Sequence, residues 1–502
     1  MPSSCQSSPP PFQVRTESIQ FTSKAPSGNL TLFGTLYIPF HSSSSSIPNH
    51  IKDHPSNNNI NYNNNNINYN NNYNNNIEKL PAVVLVHGSG PQNRNESIHN
   101  YVFLNTEAKP EWKKPYCGYT LLNFNTFHEL AMQLASQNGM IVLTYDKRTC
   151  CSVSNTACSK CRVDPVTHQF TRDSCFYACQ TQHAPQLLDL NVLTLDDLVW
   201  DVVHALEYLA LNRSKDLWID TTRLSLLGHS EGVNVVLKAM NVFNMMMNDS
   251  TRPRSTKYGN EWNHQDEENH SSNTTTSCGK YESRLLNVPP RVSNVFLMNG
   301  VVFDYGQLLL DQYQRILNKW ILIKQVCEKE DPSSPLILNA NQAIPITNQT
   351  IKALQDFFPK FKAGQYPLNW VYSIGGAVSG YFLKSSYEFT SITREQLLSM
   401  KSHGSSRSNE EENDDQPPFI PFVCSLNSPT DLNIQPKEYA ALLEVMAQRE
   451  SSKTLVRVME NLTHFDTPSD LSSPEITQQV MEFIQNCLTF QPPLKERSNK
   501  KR

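Results

Sequence analysis

Apolar residues in this chain recur in two rhythms, separated by long polar gaps. IQFTSK and LTLFGTLYIP alternate apolar with polar positions on either side of the turn signal PSGN, which predicts an antiparallel hairpin. From Leu80, LPAVVLVHG is a continuous apolar run of strand length, as a parallel strand buried on both faces requires, and the pattern returns in MIVLTYD and RLSLLG. Helical periodicity fills the intervals. FHELAMQLASQ precedes the second run, and LDDLVWDVVHALEYLALN, with Leu198, Val202, Ala205, Leu206 and Leu209 on one face, precedes the third. Strand and helix in alternation predict an α/β fold with right-handed crossovers and a mostly parallel sheet.

Further on, VSNVFLMNG is a fourth buried strand. The segment 304–400, with helical pieces such as LLLDQYQRILNKW, is far longer than an ordinary strand-to-helix connection and is expected to form a helical cap. A charged linker, 401–417, leads to the strand FIPFVCSL, the helix KEYAALLEVMAQRE, the strand TLVRVM and the end helix PEITQQVMEFIQNCL. The whole reads as one domain over 13–490. It is interrupted by an Asn/Ser-rich insertion at 41–79, a Cys-rich loop at 149–185 and a polar insertion at 248–282. The first and last hold too little apolar surface to offset their ordering entropy and are expected to be disordered.

Composition narrows this picture. Only 38% of the 502 residues are hydrophobic, so length overstates the core and one large domain is favoured over several. A formal charge of -4 gives no general attraction to nucleic acid. The start, MPSSCQSSPPPFQVRTESIQF, lacks a basic segment followed by an apolar one, and no apolar run is long enough to span a bilayer. A cytoplasmic protein without a membrane span is therefore the expectation. Eight Asn-x-Ser/Thr sequons occur, as an Asn- and Ser-rich chain produces by chance, and they do not argue for secretion.

Chemistry concentrates at strand ends. Gly228, His229, Ser230, Glu231 and Gly232 spell GHSEG directly after RLSLL and directly before the helical run VNVVLKAM, the strand, sharp turn and helix of a nucleophile elbow. Such a turn forces the serine into strained backbone geometry, and the glycines let strand and helix approach closely. The helix start aims the Glu231 N–H at a developing oxyanion. A second donor is expected from the HGSG loop after AVVLV, from Gly88 or Ser89.

Together, LPAVVLVHGSGPQNRNE, FHELAMQLASQNGMIVLTYDKR and RLSLLGHSEG resemble the esterase and serine-aminopeptidase branch of the α/β-hydrolase superfamily. The resemblance implies the α/β-hydrolase fold and a triad in the order nucleophile, acid, histidine. Ser230, Asp431 and His464 match that order. Asp431 follows the strand FIPFVCSL, where it would orient the imidazole, and His464 follows TLVRVM, where it would carry the proton. Relatives commonly have a glycine shortly before this aspartate, whereas here the loop reads NSPTD, which keeps Asp304 as a reserve acid.

The sequence departs from the family after Asp146, Lys147 and Arg148, where TCCSVSNTACSKCRVDPVTHQFTRDSCFYACQTQH holds six of the twelve cysteines. Cys158, Cys161, Cys175 and Cys179 have the spacing of a four-thiolate zinc site, with Cys150, Cys151, His168 and His183 leaving the ligand set open. Structural zinc, disulfides and unpaired thiols all fit this loop. No cofactor is needed for the chemistry itself. The expected activity is hydrolysis of a carboxylic ester or thioester by a serine hydrolase, the expected partner a small acyl substrate or a short peptide. A serine aminopeptidase or amidase on the same triad, and a non-catalytic binding protein on the same fold, are the alternatives.

Overall fold

In the computed structural model, residues 12–40, 79–90, 92–104, 119–149, 166, 191–250, 290–300, 304–373, 377–388, 422–428, 431, 434–447, 454–459 and 474–489 are described. The first two alternating stretches form β1 (Gln13–Ala25) and β2 (Gly28–Phe40), paired antiparallel throughout and closed by a two-residue turn between Ala25 and Gly28. The apolar run from Leu80 is β3 (Leu80–Val86). A hairpin of β4 (Ser97–Leu104) and β5 (Tyr119–Asn125) follows, in a sheet of its own. The chain then alternates as the periodicities predict: α1 (Thr126–Asn138), β6 (Ile141–Tyr145), α2 (Leu195–Glu207), β7 (Ile219–His229), α3 (Glu231–Ser250) and β8 (Val292–Met298).

Next come α4 (Tyr305–Glu330), α5 (Pro335–Lys362), the short pair β9 (Val371–Ser373) and β10 (Ala377–Ser379), and α6 (380–388). The domain closes with β11 (Phe422–Asn427), α7 (Pro436–Ala447), β12 (Thr454–Val458) and α8 (Pro474–Thr489). Eight strands share one sheet in the order β1-β2-β6-β3-β7-β8-β11-β12. Within this sheet only β1 with β2 and β2 with β6 pair antiparallel, and the other pairings are parallel. This mostly parallel sheet flanked by helices, with a serine elbow after its fifth strand, is the α/β-hydrolase fold.

The continuous apolar runs exist because both faces of the sheet are covered. Ala82, Val84 and Val86 point to one side, Val83 and Leu85 to the other, as the pleat requires. On the first side Val199, Val202 and Leu206 of α2 and Val233, Val236 and Leu237 of α3 pack on Leu143, Leu226 and Val295. On the second, Phe127, Leu130 and Leu134 of α1 and Val480, Phe483 and Ile484 of α8 pack on Val142, Leu227 and Phe296. A disulfide between Cys424 of β11 and Cys487 of α8 lies inside this second core, an unanticipated pairing.

Between β8 and β11 the chain leaves the sheet, and α4 packs on α5. An aromatic cluster of Phe357, Phe358, Phe361 and Tyr372, with Tyr305 and Tyr387 against it, holds the base of this segment. Arg315 of α4 donates to the fully buried Glu438 of α7 at 2.8 Å, which anchors it to the domain below. Among the described residues no helix is long and apolar enough to cross a membrane. Residues 41–78 of the Asn/Ser-rich insertion, nearly all of the Cys-rich loop and residues 251–282 of the polar insertion lie outside the described residues; Asn248, Asp249 and Ser250, expected to be disordered, instead complete the last turn of α3.

Candidate active site

The turn between β7 and α3 has the geometry the GHSEG pattern predicts. Ser230 sits at φ 55°, in the left-handed region that side chains other than glycine rarely occupy. Its N–H donates to Met298 O at 3.0 Å, and its carbonyl accepts from Val233 N at 3.0 Å, so both neighbouring elements hold the strained residue. A Cβ on Gly232 would stand 2.1 Å from Val86 O, and one on Gly228 would stand 2.5 Å from Gly232 O. Only glycine lets β3, β7 and α3 meet this closely. Ser230 remains partly accessible, and Glu231 opens α3, where an N–H has no acceptor within its own helix.

The loop after β3 lies against the serine: a Cβ on Gly88 would be 3.1 Å from Ser230 Cβ and 3.2 Å from Glu96 Oε1. Of the two donors expected from this loop, the Gly88 N–H is already donated to Glu96 Oε1 at 2.9 Å. Among the described residues the Ser89 N–H meets no acceptor, while its carbonyl takes a bond from Gln92 Nε2 at 3.0 Å. Glu96 was not legible as a site residue. It is 1% exposed, sits at φ 48° at the end of a turn closed by its own N–H to Asn93 O, and lies 3.0 Å from His229 Nδ1. Burial raises the Glu96 carboxyl, but the His229 imidazole and the Gly88 N–H outweigh it and hold the group below its ordinary value. The neighbouring His87, packed against Phe127 and Tyr145, is pushed down to about 4 by burial.

The three charges that follow β6 each hold a different segment. Asp146 accepts from Arg94 N at 2.8 Å and from Arg94 Nε at 3.1 Å. Lys147 Nζ donates to Gly88 O at 2.8 Å and to Glu231 Oε1 at 2.7 Å. Arg148, 1% exposed, makes a two-pronged pair with Asp201 at 2.8 and 2.6 Å, with Asp197 at 3.6 Å and the hydroxyls of Ser27 and Ser23 around it. The visible sequence signal was three consecutive charges at the end of a buried strand, where solvated chain alone would not require them.

Asp431 is 2% exposed beyond the carboxyl end of β11, at the sheet edge that also carries Ser230, because β7, β8 and β11 run parallel. Its Oδ1 accepts from Ile434 N at 3.0 Å and its own N–H donates to Ser428 O at 3.3 Å. Asp304 has other work: its Oδ1 caps α4 through Gln307 N at 3.0 Å, and Oδ2 pairs with Lys362. It also lines a cavity of about 710 Å³ with Phe361, Tyr366, Leu368 and Tyr387. His464 lies outside the described residues, beyond the end of β12, where Met459 N donates to Asn427 O at 2.9 Å and keeps that chain exit beside β11. Cys158, Cys161, Cys175 and Cys179 also lie outside them, and among the described residues no group of three or more His, Cys, Asp or Glu side chains could hold a metal.

No protein-family model matches the chain. No curated protein matches it in sequence. Among solved structures it is similar to the alpha/beta hydrolase GrgF from Penicillium sp. sh18, at 10% identity over 94% of this chain and 99% of that one, with a TM-score of 0.37. It is also similar to the acylaminoacyl peptidase of Pyrococcus horikoshii, at 11% identity over 97% of this chain and 43% of that one, with a TM-score of 0.39. A third is the hyperthermophilic esterase of the archaeon Pyrobaculum calidifontis, at 11% identity over 94% and 85%, with a TM-score of 0.36. The chain's own strand order and elbow mark the α/β-hydrolase fold.

Proposed function

We propose that the chain is a serine hydrolase that cleaves a carboxylic ester or thioester through an acyl-enzyme on Ser230, with Asp431 and His464 completing the triad. The observation that carries this reading is Ser230 itself: a non-glycine residue at φ 55° at the carboxyl edge of the sheet, clamped between two glycines with no room for a Cβ and facing a glycine loop. Strain of this kind persists only where surrounding structure enforces it, and presenting a nucleophile is its ordinary use.

Ser230 Oγ attacks the acyl carbonyl while His464 accepts its proton. The carbonyl oxygen becomes an oxyanion held by the N–H groups of Glu231 and Ser89. Collapse expels the alcohol or thiol, which takes the proton from His464; a water molecule deprotonated by His464 then attacks the acyl-enzyme, and His464 returns that proton to Ser230 Oγ as the acid leaves. Asp431 serves as the acid better than Asp304, because it is buried at the right edge while Asp304 is occupied by a helix cap and Lys362. A fluorophosphonate probe tests the reading directly. The native protein is expected to be labelled on Ser230 and Ser230→Ala to remain unlabelled; equal labelling of both proteins rejects it.

A further inference from the structure

The two residues flanking Ser230 are each tied to one backbone atom of Gly88 by a buried, charged side chain. Glu96 Oε1 takes the Gly88 N–H at 2.9 Å and lies 3.0 Å from Nδ1 of His229. Lys147 Nζ donates to Gly88 O at 2.8 Å and to Glu231 Oε1 at 2.7 Å. Glu96 and Lys147 are 1% and 6% exposed. Each side chain is itself held by its own segment, Glu96 by the Asn93 turn and Lys147 by its N–H to Gln92 O at 3.1 Å.

We infer that Glu96 and Lys147 are positioning residues that jointly set the oxyanion loop against the nucleophile and select the Ser89 N–H as its upstream donor; this rests on the reading of Ser230 as nucleophile. Glu96 removes the Gly88 N–H from the free donors. Lys147 fixes Gly88 O, and in a planar trans peptide the N–H of the next residue, Ser89, points to the opposite side. A loop containing two glycines, one of them at φ 86°, would otherwise explore many orientations of that peptide. Two charged anchors in a buried setting remove this freedom before substrate arrives, as preorganised stabilisation of a developing oxyanion requires. The carboxylate and the ammonium hold the two polar backbone atoms of one residue, Gly88, so losing either releases the same loop.

The test measures p-nitrophenyl acetate turnover and fluorophosphonate inactivation, separated into maximal rate and half-saturation, for the full chain and for Glu96→Ala, Glu96→Gln, Lys147→Met, Glu96→Ala with Lys147→Met, and Ser230→Ala. Glu96→Ala and Lys147→Met are each expected to lower kcat and the maximal inactivation rate about 100-fold, with KM changed less than about threefold. Glu96→Gln keeps an oxygen for the Gly88 N–H and is expected to recover at least about tenfold of that loss. Because both anchors act on one loop, the double variant is expected to fall well short of the product of the single losses. If Glu96→Ala does not fold, Lys147→Met and the Glu96→Gln comparison decide the matter. The inference is overturned if folded variants lose less than about threefold in kcat, if the loss lies in KM alone, or if the single losses multiply. Retained turnover and labelling in Ser230→Ala would instead remove the underlying reading, and the inference with it.

Discussion

At the scale of single residues, the site is a set of groups whose burial decides their chemistry. His87 is the clearest case, because its ring is buried between Phe127 and Tyr145 and stays neutral down to about pH 4. In the unfolded chain it would take a proton near its ordinary value of 6.5. Between those values the unfolded state binds more protons than the native state, so stability is full above pH 6.5 and falls as pH drops toward 4. Going from pH 7 to pH 5 this one residue should cost about 2 kcal/mol. Glu96, whose carboxyl is held low, adds its own loss only at lower pH, as pH falls from the ordinary carboxylate value through its folded value. Urea unfolding at pH 7 and pH 5 checks this: His87→Phe should lose most of the difference, and a variant as acid-sensitive as the native protein would contradict it. The glycines of GHSEG were legible because their spacing carries the requirement. Glu96 was not, because a carboxylate eight residues past the loop it holds leaves no periodic trace.

At the scale of elements, the interest lies in what fastens the helices and hairpins to the sheet. Apolar periodicity located every helix that covers the sheet, and the two-sided burial of β3, β6 and β7 explains why their runs were continuous. The β4–β5 and β9–β10 pairs were not read, being short or lying outside the main sheet. Arg148 is the main polar fastener. Its guanidinium, without exposed side-chain surface, joins β6 to α2 through Asp201 and Asp197 and to the β1–β2 hairpin through Ser23 and Ser27. Removing one member of a buried pair leaves the other charge uncompensated, at about 3–5 kcal/mol. Arg148→Met is therefore expected to destabilise the fold by that amount in equilibrium denaturation. Arg148→Lys should recover only a minor part, since an ammonium cannot reproduce the two-pronged pair with Asp201 together with both hydroxyl bonds. Recovery to near native stability with lysine would show that charge alone suffices there.

At the scale of the whole molecule, the unanticipated Cys424–Cys487 bond joins the penultimate sheet strand to the last helix across 63 residues of sequence. That interval contains β12, Asp431 and His464, so the bond closes a loop around two of the three proposed triad members. Nothing in the spacing of these two cysteines pairs them, since half of all cysteines cluster at 149–185, and the packing of α8 on β11 is what brings this couple together. Bonds of this kind are commoner in oxidising compartments than in reducing ones. Chain-entropy reasoning gives about 4 kcal/mol for closing a loop of this length in the unfolded state. The oxidised protein should therefore be about 4 kcal/mol more stable than the same protein under a thiol reductant strong enough to open buried bonds. In Cys424→Ala with Cys487→Ala most of that dependence should vanish, while the apolar packing of Val480, Phe483 and Ile484 on the sheet still allows folding. Denaturation curves of both proteins, with and without reductant, separate the outcomes. Equal stability of the native protein in both conditions would mean that burial of α8, rather than the covalent tie, fixes the ends of the segment that bears the proposed acid and base.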